Sequence, residues 1–140
     1  MGILSVVLTL AFTTIHRCHQ NSLDLRRNAA DIELVLKAGE RWREDVRTAT
    51  ASPRIVEDGG AFVIPRKDGE VVYHWADGIV WRQSGSEKKP VLKAVKTSRM
   101  LSDARQHVRA WRWELELASP QRVVRVRPLF SFQAAKTTKE

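Results

Sequence analysis

Between residue 3 and residue 51 the chain contains no proline, and the first one it meets is Pro53. That stretch reads as one continuous helix whose surroundings change partway along. From Ile3 to Ile15 the text is ILSVVLTLAFTTI, without a single charge, and from His16 to Ala51 it becomes charged and amphipathic. A helix apolar on all sides at one end and striped at the other puts its first end in lipid or among other helices, and its second end against a folded domain. Everything after Pro53 reads as strands and turns. The expected fold class is α+β: a long N-terminal α-helix, apolar then amphipathic, packed on a small antiparallel β-sheet. The expected division is a helix over 1–52 (a membrane or filament-core stub at 1–15, an amphipathic half at 16–52), a β domain over 53–133 and a polar tail over 134–140.

Ile3–Ile15 is shorter than the roughly 20 apolar residues that a bilayer span requires. It does not read as a signal peptide, because no Lys or Arg precedes it and no small-x-small cleavage site follows before His16 and Arg17. Nor does it read as a lipoprotein signal, since Cys18 follows His-Arg and not small apolar residues. The expectation is that the true start of the chain lies upstream and that further apolar residues complete the span. Ser5, Thr9 and Thr13, spaced four apart, would offer small, hydrogen-bonding contacts to a neighbouring helix.

Farther along, Leu25, Ala29, Ile32, Leu36, Gly39, Trp42, Val46 and Ala49 recur at spacings of three and four, which places them on one face for packing onto the sheet. Gly39 weakens the helix by about 1 kcal/mol relative to alanine and marks close packing or a bend. Ser52-Pro53 ends the helix, because the residue before proline is pushed out of the α region.

Three Asp-Gly pairs, Asp58-Gly59, Asp68-Gly69 and Asp77-Gly78, separate short apolar runs and predict a meander of antiparallel strands. Val91–Val95 is a further short run, and Thr97–Asp103 reads as loop. A last hairpin is expected across Ser119–Arg122. It sets Leu117 beside Val124, Leu115 beside Val126 and Trp113 beside Pro128, with Glu116 facing Arg125 and Glu114 facing Arg127 as a ladder of opposite charge.

The formal charge of +8 and pI of about 10.3 favour acidic partners. Lys88, Lys89, Lys93, Lys96, Arg99, Arg105 and Arg109 form the candidate patch for one, with Trp111 and Trp113 nearby as stacking groups for nucleic acid or, being in phase with Leu115 and Leu117, as core. Cys18 is alone, so no intrachain disulfide forms. His16-Arg17-Cys18-His19 lacks the second ligand cluster that a zinc site needs and reads as an interfacial collar, so no metal is expected. No nucleophile–base pair, carboxylate pair or phosphate loop stands out, so neither catalysis nor a cofactor is expected.

The layout and local text resemble the type IV pilin superfamily, in particular the minor pseudopilins of type II secretion. The likeness lies in Met1–Leu10, in Arg41-Trp42-Arg43-Glu44-Asp45-Val46-Arg47, in Val72-Tyr73-His74-Trp75 and in Gly78-Ile79-Val80-Trp81-Arg82-Gln83. It implies a non-enzymatic minor subunit of a pilin-like filament, processed from a prepilin, waiting in the bacterial inner membrane with its β domain periplasmic. Its implied partners are other pilin-like subunits, an inner-membrane assembly platform and membrane lipid. Ile3, Leu4, Val6, Val7, Leu8, Leu10 and Phe12 would then exchange lipid contacts for helix contacts. The alternative is a basic, nucleic-acid-binding β domain tethered to a membrane, of the DNA-uptake type.

Overall fold

The computed structural model describes residues 2–104, 107–118 and 129–136, with no side-chain description at 2–4, 20–28 and 104. The chain divides into two compact units, Met1–Leu36 and Lys37–Glu140. Helical backbone (α1) is assigned over Gly2–Arg47. It is described in two shorter stretches, 5–19 and 29–47, and most of the remaining described residues lie in strands joined by short turns. Eight antiparallel strands in two sheets make up about 49% of the structure, so the protein is mostly β. The expected α+β class, with one long rod on one small sheet, is therefore corrected. Its strand content was underestimated because 97–103, most of a ten-residue strand, was read as loop.

The first sheet has the order β1(Arg54–Val56), β2(Ala61–Arg66), β3(Gly69–Ala76), β4(Ile79–Ser84), β5(Glu87–Leu92), each strand beside its sequence neighbour. All three Asp-Gly pairs lie where the chain reverses, each in its own way. Asp77 and Gly78 both take positive φ (52° and 73°) and alone connect Ala76 to its partner Ile79, the primed two-residue turn that suits strand twist. Between β2 and β3 the turn residues are Lys67 and Asp68, and Gly69 already opens the next strand with φ 125°. Asp58 and Gly59 fall in a 3-10 turn, Glu57–Gly59, that helps close β1 onto β2.

The second sheet has the order β6(Val95–Ala104), β7(Arg109–Leu117), β8(Leu129–Ala135). Two expectations change here. The segment 97–103 is strand, as part of β6, and β6 is the longest strand of all. The hairpin register also differs: Trp113 faces Phe132 and Leu115 faces Phe130, where Pro128 and Val126 were expected. The shift is four residues. An even slip keeps every side chain on its face, so the apolar alternation alone tolerates both registers. Residues 119–128, including the expected turn and Val124, Arg125, Val126, Arg127 and Pro128, lie outside the described residues. β8 runs to Ala135, two residues into the expected polar tail.

The core of the second unit lies between its two sheets and helix residues 37–47. Trp113, fully buried, is its hub, with ring centroids of Trp42 at 5.9 Å, Tyr73 at 6.2 Å and Phe132 at 5.9 Å. Its indole N–H donates to Ser98 Oγ at 2.9 Å, which satisfies a polar atom that burial would otherwise strand. Phe62 joins through Trp42 and Trp111. On the helix, the buried positions are Val35, Ala38, Gly39, Trp42, Asp45, Val46 and Ala49. Gly39 is there because nothing larger fits: a Cβ on it would lie 2.2 Å from the Phe132 ring.

Candidate functional site

The apolar helix comes first. Val6, Val7, Leu8, Leu10 and Phe12 are all exposed, Leu8 at 64% and Phe12 at 74%. Exposure on successive residues means exposure all around the helix, since consecutive residues point about 100° apart. Burying any one of these side chains is worth about 1.5–3 kcal/mol, so such a surface left in water is strongly unfavourable. Ile3 and Leu4 belong to the same run, but their side chains lie outside the described residues. Among the described residues, no helix is long and apolar enough to cross a membrane.

The hydroxyls in this stretch turn inward on their own backbone. Thr9 Oγ1 donates to the Ser5 carbonyl at 2.8 Å, Thr14 Oγ1 to the Leu10 carbonyl at 2.8 Å, and Thr13 Oγ1 to the Thr9 carbonyl. These i to i−4 bonds leave no threonine hydroxyl proton in need of water or of a partner helix. At the end of the stretch His16 stacks on Phe12, and Cys18 is an exposed free thiol.

The helix positions expected to pack on the sheet divide in two. Trp42 and Val46 are buried, whereas Ala29, Ile32 and Leu36 are exposed, Ile32 at 44% and Leu36 at 51%. Leu25 lies outside the described side chains. The buried stripe runs through Val35 and not Leu36, one residue out of the expected phase.

Behind Trp42 sits a polar cluster that the residue pattern did not reveal. Asp45 is 2% exposed and accepts four hydrogen bonds. Arg82 donates two of them, Nε to Oδ2 at 2.8 Å and Nη2 to Oδ1 at 3.1 Å; Arg66 Nη1 donates to Oδ1 at 3.1 Å, and Tyr73 Oη donates to Oδ2. The carboxylate is thereby saturated, and its charge is matched inside the protein. The hydrogen bond to Asp45 raises the pKa of Arg82, and burial, then the Asp45 charge, pushes the Tyr73 phenol far above its ordinary value. The cluster clasps helix to sheet, with no lone pair left for proton transfer. A signal for it was present: Arg66 and Arg82 share strand phase with the buried Ile64 and Val80, and an inward arginine implies an inward anion.

The basic patch is more divided than its composition suggests. The whole formal +8 falls on residues 37–140, because residues 1–36 hold Arg17, Arg26 and Arg27 against Asp24, Asp31 and Glu33. Yet Lys96 lies 3.8 Å from Glu116, Lys89 lies 2.8 Å from Glu87, and Arg99 faces Glu114 across the ladder. Lys88 sits over the Trp81 ring at 4.8 Å, Lys93 and Arg109 are exposed, and Arg105 lies outside the described residues. Glu114, expected to face Arg127, lies 3.2 Å from Arg112, and Glu116, expected to face Arg125, lies 3.8 Å from Lys96; Arg125 and Arg127 are outside the described residues. Trp111 and Trp113 are core, so neither offers a stacking surface to nucleic acid. Comparison with protein-family models, with curated proteins and with solved structures finds no match for this chain.

Proposed function

We propose that this chain is a non-enzymatic subunit of a pilin-like filament, of the minor-subunit kind, which rests in a membrane and joins its neighbours through the apolar N-terminal helix. The observation that carries this reading is the all-round exposure of Val6, Val7, Leu8, Leu10 and Phe12 on a helix whose threonine hydroxyls are already bonded to its own carbonyls. Lipid and a bundle of like helices are the two surroundings in which such a surface is stable, and exchange between them is governed by shape and packing. The layout of the β part no longer supports the reading; the helix does. The saturated Asp45 carboxylate agrees with a structural role for this buried charge.

Cys18 supplies the test. In membranes holding the full chain, a bifunctional thiol reagent should join copies through Cys18 at the end of the apolar stretch. Leu8→Glu or Phe12→Glu should abolish both the cross-link and membrane retention, while the thermal transition of the β part stays in place. Full cross-linking and retention by both variants would refute the proposal.

A further inference from the structure

The two sheets present very different outward faces. On the second sheet that face is rich in charge, with Arg99 facing Glu114, Lys96 near Glu116 and Arg112 facing Gln133, and it also carries Leu101 and the exposed Leu129. On the first sheet the register places Val56, Ala61, His74, Trp81 and Pro90 in one row across all five strands, because each faces the next directly. The adjacent row is Arg54, Val63, Val72, Gln83 and Lys88. Residues opposite each other share a face, and so do alternate residues along a strand. The inward face of the same sheet is the opposite set, Phe62, Ile64, Val71, Tyr73 and Val80, all buried. The outward side of the first sheet is thus mixed, with half-buried Val63, Val72 and Trp81 beside Arg54, His74, Gln83 and Lys88.

Charge on the outward side is one-signed at its centre. Lys88 lies over the Trp81 ring and, among the described residues, no carboxylate is within ion-pair reach of it. Its charge is also felt at His74, whose pKa is lowered by burial and then by Lys88, with Glu57 acting the other way. Arg54 is neutralised by Glu70 at 2.9 Å. A second copy of the chain brings another +8 unit and is disfavoured by repulsion.

We infer that the outward face of the first sheet, centred on Trp81 and Lys88, is a docking surface for an acidic, partly apolar segment of a partner protein. Apolar side chains of that segment would cover the Val72, His74 and Trp81 surface, and a carboxylate would take the Lys88 ammonium, which the aromatic ring already holds in place. This surface is independent of the apolar helix, so failure of either proposal leaves the other standing.

The experiment uses the full chain in a nonionic detergent and, as probe, a short synthetic peptide of alternating glutamate and leucine, followed by tryptophan fluorescence. Lys88→Glu and Trp81→Ala should each weaken binding about tenfold or more, and Lys93→Glu, an equal charge change at an exposed site outside both rows, should change it less than about twofold. Unchanged thermal unfolding of the Lys88→Glu protein shows that the loss is local. Equal losses for Lys88→Glu and Lys93→Glu would reduce the effect to net charge and overturn the proposal. So would absence of peptide binding, or tighter binding of anionic vesicles or single-stranded DNA with the same dependence on Lys88 and Trp81.

Discussion

The two described stretches of the N-terminal helix make an instructive pair. The first, 5–19, is the more apolar, and its large side chains stand exposed. The second, 29–47, is crowded with Arg, Glu and Asp, and yet it buries Trp42, Val46 and even the carboxylate of Asp45. Burial within a chain therefore follows complementarity and not greasiness. The second stretch meets a sheet with a groove for its glycine, rings for its tryptophan and two arginines for its aspartate. The first shows no such burial, and its large apolar side chains stand open.

If that contrast is right, the largest effect comes from removing the charge match. Asp45→Ala leaves Arg82 and Tyr73 facing an empty place in the interior and should cost about 3–5 kcal/mol in a denaturant titration. A loss under about 1 kcal/mol would mean that the clasp is incidental. Next comes the glycine. On a free helix Gly39→Ala would gain about 1 kcal/mol. Here the new methyl meets the Phe132 ring, and we expect a net loss of about 1–3 kcal/mol, largely restored by adding Phe132→Leu. On the first stretch Phe12→Ser should move the unfolding midpoint of the β part by no more than about 0.5 kcal/mol. A larger shift would show that the apolar stretch is packed against its own molecule. The smallest effect is a pH dependence at His74. Its folded pKa lies below the ordinary 6.5, so the folded state holds fewer protons than the unfolded one there. Stability should be full above pH 6.5 and should fall as the pH drops through the lower folded value, a slope that His74→Gln removes.

The same residues show what the amino-acid text discloses and what it hides. Asp77-Gly78 announces its turn because the primed geometry needs positive φ at both positions, a demand that local chemistry satisfies alone. Trp42 and Val46 are legible for the same reason, as neighbours on one helical face. Strand β6 was hidden. Its outward residues Thr97 and Arg99 are polar, a register shift between Val95 and Thr97 interrupts the alternation, and the inward side carries Ser98 and Ser102, the first tolerated because an indole N–H reaches it. The register of β8 was hidden because a period of two cannot tell Val126 from Phe130. The tight space at Gly39 was hidden too, because Phe132 is 93 positions away in the chain and meets it only after folding. Asp45 looked like any solvated helix acid until Arg66, Tyr73 and Arg82 were brought to it from three strands. Of the candidate surfaces, the apolar helix was visible in composition alone, while the outward row on the first sheet needed the register of five strands.

One detail of that sheet bears on how crowded copies avoid one another. Strand β5 forms a border of the first sheet and reads Glu87-Lys88-Lys89-Pro90-Val91-Leu92. Proline supplies no amide proton midway along that border, and paired lysines guard its beginning, so an incoming strand would find a broken ladder and a repelling charge. That border is thereby a poor template for sheet-to-sheet fusion into fibres, whatever the concentration of the protein.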